Sequence, residues 1–171
     1  MGIFTKKKLD PDTYVKLTEE YREVLYRMAY GYLGSESMAL DAVDEAIYLG
    51  YKNRDAIKEP DFTKTYLTRI LIHECLRILK KDKKVYYTDT LPERGMEDNV
   101  ISLPTKAAIS SLQEVQQQVI ILRYFAGFTI KETGEILSLP EGTVSSHTRK
   151  ALELLRIELS DEKGDLSYEK K

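Results

Sequence analysis

Apolar residues recur at steps of three and four along residues 14–79, and this spacing limits the fold more than any other feature of the sequence. Such steps place side chains on one face of an α-helix, whereas a half-buried strand would show alternation. The pattern is interrupted at "YLGSES" (32–37) and at "NRDAIKEPDF" (53–62), where glycine, serine and proline favour breaks. We therefore predict three helices that form a small bundle, and they cover about residues 11–33, 37–52 and 63–81.

Local signals predict where these helices begin and end. Asp10 and Pro11 are a capping residue followed by a proline in the first turn, and Gly34 can end that helix. Ser35 or Ser37 can cap the second helix. The second helix is rich in alanine and carries Gly50, so it allows a neighbouring element to approach closely.

Helical spacing disappears between residues 85 and 106. This segment contains two prolines, one glycine and four acidic side chains. A connection of this length is unusual inside one compact domain. We therefore predict an all-α protein with two small helical domains, 10–84 and 107–160, joined by a flexible linker, 85–106. A tail, 161–171, follows the second domain.

The second domain carries a helix-turn-helix pattern. Apolar residues from Leu112 to Phe125 predict one helix that starts after Ala107 and that Gly127 ends. "TIKE" (129–132) then matches a capping box and opens a short helix, which the turn "SLPEG" follows. A short helix, a tight turn and a second helix are typical of a DNA-binding helix-turn-helix. The alternative for this segment alone is a plain helical hairpin.

The second helix of this motif, in "EGTVSSHTRKALELL" (141–155), has polar residues in its first turns and leucines at its end. We predict that Thr143 caps this helix and that its first turns contact a polar partner. We predict that Leu152, Leu154 and Leu155 belong to the core of the domain.

The charge of the chain is unevenly distributed. The formal net charge is −2, but residues 61–84 carry seven basic and three acidic side chains, a net +4. Residues 105–157 carry six basic and five acidic side chains, a net +1. Screening over ~8–10 Å lets such a patch act locally, so the overall charge does not exclude a nucleic-acid partner. It does predict weak non-specific DNA binding by the isolated protein.

The sequence lacks the patterns of several other classes of protein. No apolar run approaches the ~20 residues of a membrane helix, and no secretory signal is visible, so we expect a cytoplasmic protein. Cys75 is the single cysteine. It lies two residues from His73, so on a helix the two side chains point in different directions, and we expect no shared zinc ion. Without a glycine-rich phosphate loop or a nucleophile elbow, we expect no enzyme, metal or cofactor.

In their order and spacing, these motifs resemble one family, the extracytoplasmic-function sigma factors. They are the smallest of the bacterial sigma-70 type and keep only regions two and four. The resemblance covers about residues 11–84 and 109–159. "ALDAVDEAI" (39–47) is similar to the region 2.2 pattern, with Asp44 where the family usually has glutamine.

Two further stretches carry the resemblance. "FTKTYLTRILIHECLRILKK" (62–81) is similar to the promoter-opening stretch, with Tyr66 in place of a tryptophan. "IKETGEILSLPEGTVSSHTRKAL" (130–152) is similar to the region four helix-turn-helix, with Gly134 in place of an alanine. Ser145 and His147 stand where the family has lysine and arginine, which removes positive charge from the reading helix.

The resemblance implies three sets of binding residues. The polymerase-binding residues are Asp41, Asp44 and Glu45, although an exposed acidic face is the plainer alternative. The residues for the minus-ten promoter element are Asn53, Arg54, Asp55, Phe62, Arg69, His73, Arg77, Lys80 and Lys81. For the cations of the third helix, the alternative is a solvated helix end. The residues for the minus-thirty-five element are Thr143, Ser145, Ser146, His147, Arg149 and Lys150.

The resemblance also implies partners. They are core RNA polymerase, through its β′ clamp helices and β flap, promoter DNA, and a membrane-bound anti-sigma factor, with no small-molecule substrate. The acidic linker residues either form a solvated tether or, as in the family, thread the polymerase channels. Two other classes stay open on the residues alone: a stand-alone helix-turn-helix regulator, and an adaptor that binds only proteins.

Overall fold

The computed structural model describes residues 9–85 and 102–165, and within these ranges the regular structure is helical throughout. The α-helices are α1 (Pro11–Leu33), α2 (Glu36–Lys52), α3 (Thr63–Val85), α4 (Leu103–Ser111), α5 (Glu114–Ile120), α6 (Ile130–Leu137) and α7 (Glu141–Asp165). A π-helical segment, Ile121–Phe125, continues α5. The predicted all-α class is confirmed. Residues 86–101 of the predicted linker and residues 166–171 of the predicted tail lie outside the described residues.

The first two helices begin and end at the residues that the sequence predicts. The side chain of Asp10 accepts a hydrogen bond from the backbone N–H of Thr13 at 3.0 Å. Gly34 has a φ of 57°, the left-handed conformation that closes a helix at low cost for glycine. Ser35, rather than Ser37, caps α2. These ends are set by residues close in sequence, and for that reason they are predictable.

Helices α1, α2 and α3 pack around one core. Its fully buried large side chains include Tyr14, Leu25, Met28, Val43, Leu67 and Leu71. Gly50 of α2 allows the close approach that its position suggests, because the Tyr14 hydroxyl and a Leu67 methyl group occupy the space of a Cβ. The same hydroxyl donates a hydrogen bond to the carbonyl oxygen of Ile47 at 2.7 Å, which fixes α1 against α2.

After the linker, the structure has two short helices where the sequence predicts one. The first helix after the linker starts at Leu103, because the side chain of Ser102 caps it and proline follows in its first turn. The predicted single helix from Ala107 to Phe125 is wrong. The chain turns at Leu112, which has an extended ψ of 151°, and α5 restarts where the Gln116 side chain accepts the Gln113 backbone N–H at 3.2 Å.

Helix α7 also differs from the prediction. It begins at Glu141, so Thr143 lies within its first turn and does not cap it. Leu152 and Leu154 are 41% and 45% exposed, so their predicted place in the core is wrong, while Leu155 is half-buried. The buried stripe is instead formed by Val144, Thr148 and Ala151, which follow steps of four and three.

This stripe gives a test of stability. Val144→Ala should lower the free energy of unfolding of the second domain by about 2 kcal/mol, because Val144 is fully buried. Leu152→Ala should change it by less than about 0.5 kcal/mol, since exposed positions usually contribute little. Thermal or urea unfolding of both variants measures the difference, and equal destabilisation would contradict the orientation of α7.

Candidate protein- and DNA-binding surfaces

Helix α2 exposes the acidic residues that the sequence singles out. Asp41, Asp44 and Glu45 are all exposed. Asp44 forms an ion pair with Arg22 of α1, so part of its role is to link two helices of the bundle. After Glu74, the negative charge of Glu45 also helps to raise the pKa of the Arg77 guanidinium on α3. The three residues therefore share a surface, but they do not share the same surroundings.

Two apolar residues on this surface were missed by the sequence analysis. Leu40 is 42% exposed and Tyr48 is 58% exposed. Together with Asp44 they follow steps of four, so they lie in one row along α2. Their signal in the sequence was a spacing that places Leu40 and Tyr48 outside the buried alanine stripe. An exposed row of mixed apolar and acidic side chains suits a protein partner better than a purely solvated face.

The predicted base-holding loop, residues 53–62, contains two restrained polar residues and one exposed aromatic residue. The side-chain amide of Asn53 donates to the Leu49 carbonyl at 3.0 Å. The Arg54 guanidinium lies 4.5 Å from the centre of the Tyr51 ring. Phe62 is 56% exposed at the other end of the loop, and Asp55 is exposed as well. An exposed ring such as that of Phe62 is a surface on which an unstacked base can stack, and the Arg54 guanidinium on the Tyr51 ring adds a positive charge to the same loop.

Four of the predicted minus-ten residues on α3 form one row. Arg69, His73, Arg77 and Lys80 follow steps of four and three, and they line a cleft between the two domains. Lys81 is exposed but lies off this cleft.

Two arginines of this row are engaged in contacts. Arg77 donates two hydrogen bonds to Glu74, at 2.7 and 2.8 Å, and these bonds raise the pKa of its guanidinium. Arg69 donates to backbone carbonyl groups of the second domain. The structure thus brings these residues together on a face that the second domain partly covers.

The predicted reading helix presents only part of its polar residues to solvent. Ser145, Arg149 and Lys150 are exposed, whereas Thr143, Ser146 and His147 are half-buried. Ser145 and Arg149 are four residues apart and therefore share a face of α7. Arginine on such a face can bind guanine through two hydrogen bonds, and lysine can bind phosphate.

The turn between α6 and α7 explains why this chain has Gly134 where the resemblance expects alanine. A Cβ at Gly134 would lie 2.6 Å from the carbonyl oxygen of Leu139. The Leu139 N–H in turn donates to the Gly134 carbonyl at 2.8 Å. The capping box of α6 forms as predicted, with the Thr129 N–H donating to Glu132 at 2.8 Å and the Glu132 N–H donating to Thr129 at 3.2 Å. A short capped helix and a tight turn therefore hold α7 in place.

Comparison with family models agrees with this arrangement of two domains. Residues 17–85 match the model of Sigma-70 region 2, and residues 108–156 match the model of Sigma-70 region 4. The chain belongs to the sigma-70 family of RNA polymerase sigma factors. It is of the extracytoplasmic-function type. The matched ranges nearly coincide with those of the resemblance, and the predicted helix-turn-helix is confirmed over the plain hairpin.

Characterised relatives support the same assignment along most of the chain. RNA polymerase sigma factor SigV of Bacillus subtilis (strain 168) is 28% identical over 95% of this chain and 99% of its own length. ECF RNA polymerase sigma factor SigW of the same organism is 28% identical, over 91% of this chain and 93% of its own. The protein is thus an RNA polymerase sigma factor, and sigma factors are regulatory proteins.

Solved structures share the fold. The sigma factor RpoE from Bartonella quintana, in complex with the anti-sigma factor NepR, has a TM-score of 0.63 at 21% identity, covering 85% of this chain and 97% of that chain. CnrH, in complex with the cytosolic domain of CnrY, has a TM-score of 0.67 at 16% identity, with 89% and 90% covered. Among the described helices of the present protein, none is both long and apolar enough to cross a bilayer.

Proposed function

We propose that this sigma factor binds core RNA polymerase and two promoter elements through three separate surfaces. The α2 surface, formed by Leu40, Asp41, Asp44, Glu45 and Tyr48, binds the β′ clamp helices of core RNA polymerase. The loop 53–62 and the cationic row of α3 bind the minus-ten element, and the first turns of α7 read the minus-thirty-five element. The observation that supports this most is the presence of regions 2 and 4 in family order.

On α2, charge and apolar contact act together. The exposed carboxylates of Asp41 and Glu45 steer a basic partner surface toward the helix. Leu40 and Tyr48 supply apolar area that is removed from water once the partner is bound. Asp44 contributes less directly, because it already binds Arg22 of α1.

At the promoter, the two domains use different chemistry. Phe62 offers its exposed ring to an unstacked base, while the cations of α3 bind phosphate groups. On α7, Arg149 reads a base edge, Lys150 binds phosphate, and Ser145 contacts the same groove from the preceding turn. The half-buried Thr143, Ser146 and His147 support this face from beside it.

We also propose that an anti-sigma factor binds and regulates this protein. The RpoE and CnrH structures contain the anti-sigma factor NepR and the cytosolic domain of CnrY, respectively. The name of the second partner, with a cytosolic domain, suggests a membrane-anchored inhibitor for the present protein too. In this proposal the protein acts in the cytoplasm, where core polymerase and the chromosome meet, and it catalyses no reaction of its own.

Reconstituted transcription tests the proposal. Core polymerase freed of other sigma factors should initiate at specific promoters when this protein is added, and should not do so without it. The isolated protein should bind promoter duplex weakly, because it offers few phosphate contacts, and the binding that remains should fall with salt, because it is electrostatic. Tight, salt-insensitive binding by the isolated protein, without initiation by core polymerase, would favour the stand-alone regulator.

A further inference from the structure

The cleft beside α3 is large enough to hold a small-molecule ligand. Its volume is about 620 Å³, and ligand pockets usually enclose roughly 300–1,000 Å³. Residues of α3 line one wall of the cleft, and residues of α5 and α6 line the other. Arg69 and Lys80 mark the two ends of the α3 wall, and they lie about 16 Å apart along the helix axis because an α-helix rises about 1.5 Å per residue. The cleft is therefore longer than a single phosphate group.

The α3 wall offers hydrogen-bond donors that suit an anion. His73, Arg77 and Lys80 are all exposed on this wall. Among the described residues, the side chains of His73 and Lys80 have no hydrogen-bond or ion-pair partner. Arg77 binds Glu74 through Nε and Nη2, so its Nη1 is left for a ligand. Guanidinium and ammonium groups bind phosphate through charge-assisted hydrogen bonds.

The other end of this wall is already occupied. The Arg69 guanidinium donates to the carbonyl oxygen of Glu135 at 2.7 Å and to that of Ile136 at 2.9 Å. These contacts satisfy carbonyl groups in the last turn of α6, where a helix lacks its own partners. The anionic group of a ligand should therefore lie toward Arg77 and Lys80.

The opposite wall offers hydrogen-bond acceptors. The side-chain amide nitrogen of Gln118 donates to the carboxylate of Glu114 at 3.4 Å, which leaves the amide oxygen of Gln118 to accept from a ligand. An ionised carboxylate such as that of Glu114 is acceptor-only. A polyanion that filled the whole cleft would meet this negative charge, so the anionic group and the donor groups should lie at different ends of the ligand.

Aliphatic side chains separate the two polar ends of the cleft. They are Ile72, Leu76, Ile136 and Leu137. The two isoleucines are buried and the two leucines are half-buried, so a flat ring laid against them would remove further apolar surface from water. A free inorganic anion would leave this part of the cleft unused.

We propose that this cleft is a binding site for a nucleoside monophosphate. Its phosphate binds Arg77 and Lys80, its base packs against the aliphatic side chains, and its ribose hydroxyl and base N–H groups donate to Gln118 and Glu114. Each domain thus supplies one wall of a single site. The site goes beyond the polymerase and promoter contacts of the proposed function, and the inference does not depend on them.

Neighbouring lysines of α3 provide a matched pair of variants. Lys80→Ala removes an ammonium group from the cleft, whereas Lys81→Ala removes the same group from the next position, which is exposed but lies off the cleft. Gln118→Leu tests the second wall, because it replaces the accepting amide with an apolar group of similar size. All three positions are exposed or half-buried, so the fold should tolerate these changes.

Calorimetric titration of the full chain measures binding directly. The probes are AMP, GMP, CMP and UMP, each compared with its own nucleoside and with inorganic phosphate. At least one monophosphate should bind about tenfold or more tightly than either of its parts, because the two ends bind together. The dissociation constant should rise about tenfold in Lys80→Ala, which loses a charged hydrogen bond, and about threefold in Gln118→Leu, which loses a neutral one. Lys81→Ala should change it by less than about twofold.

Several results would overturn this site. Equal weakening by Lys80→Ala and Lys81→Ala would reduce the binding to a general attraction toward the basic end of α3. Unchanged affinity in Gln118→Leu, with native helix content, would remove the second wall. No monophosphate binding more tightly than inorganic phosphate would leave an adventitious ion only, and would refute the proposal.

Nuclear magnetic resonance of the unaltered protein gives a test that does not depend on the variants. The bound monophosphate should shift the backbone amide signals of Lys80 on one wall and of Gln118 and Leu137 on the other. Shifts confined to α3 would contradict a site formed by both domains. Because neither experiment contains DNA or polymerase, failure of core polymerase to initiate with this protein would refute the proposed function and leave the nucleotide site intact.

Discussion

Charge reversal on α2 should abolish binding to core RNA polymerase. The Asp41→Arg, Glu45→Arg double variant replaces two exposed carboxylates with two guanidinium groups on the surface proposed to meet a basic partner. Like charges brought together at an interface cost several kcal/mol. The dissociation constant for core polymerase should therefore rise about a hundredfold or more. Co-purification and a direct binding titration measure this change.

The control for this variant uses the same spacing on another helix. Glu19 and Glu23 are exposed on α1 and lie four residues apart, as Asp41 and Glu45 do on α2. Glu23 has an ion pair with Arg27, 3.7 Å long and exposed, which contributes little to stability. The Glu19→Arg, Glu23→Arg variant should bind core polymerase like the parent. Equal binding by both double variants, with intact helix content, would remove α2 from the polymerase interface.

Asp44 is left out of this test for a structural reason. Its ion pair with Arg22 links α2 to α1, so a substitution there changes both the surface and the packing of the bundle. The sequence motif alone treats the three acidic residues as equivalent. The distinction among them depends on α1, which is distant in sequence.

The features that sequence analysis predicted correctly are local ones. Asp10, Gly34 and the Thr129–Glu132 box bind backbone groups within four residues. The residue types at those positions are therefore sufficient to predict these helix ends. The buried stripes of α1 to α3 follow a period that each helix carries by itself. The same locality explains why the helix-turn-helix was predictable as a unit.

The errors arise where the choice depends on packing between elements. Along α7, both the leucines and the Val144–Thr148–Ala151 stripe have helical spacing, and hydrophobicity alone favours the leucines. The contacts of α7 with α4, α5 and α6 select the smaller residues instead, because those helices pack closely against it. The break at Leu112 was missed for a related reason, since glutamine is a weak signal for a helix cap.

The interface between the domains could not be predicted from local pattern at all. The acceptors of Arg69 are backbone carbonyl groups 66 and 67 residues away, and any sequence offers such groups at every position. Phe125 was expected on the buried face of its own domain, and it does pack there, but it also contacts Gly31. The sequence motif predicts that Arg69 binds DNA, whereas in the fold its guanidinium binds the end of α6.

Loss of the Arg149 side chain should weaken initiation without weakening the fold. Arg149 is exposed on the first turns of α7, so Arg149→Ala should leave thermal unfolding nearly unchanged. At promoters that the parent protein uses, initiation should fall by the equivalent of roughly 1–3 kcal/mol if the guanidinium binds guanine through two hydrogen bonds. That corresponds to about 5–150-fold. Unfolding curves and promoter-specific initiation at matched polymerase occupancy measure the two effects.

Two matched variants decide what Arg149 does. Arg156→Ala removes the same exposed side chain from the same helix two turns further on, and it should initiate like the parent because it lies beyond the reading turns. Arg149→Lys keeps the positive charge but cannot form the paired hydrogen bonds, since an ammonium group lacks the planar fork of a guanidinium. A reader should therefore lose activity in Arg149→Lys as well as in Arg149→Ala. Activity restored by lysine would make Arg149 a phosphate contact, and activity retained by Arg149→Ala at every promoter would exclude it from the DNA interface.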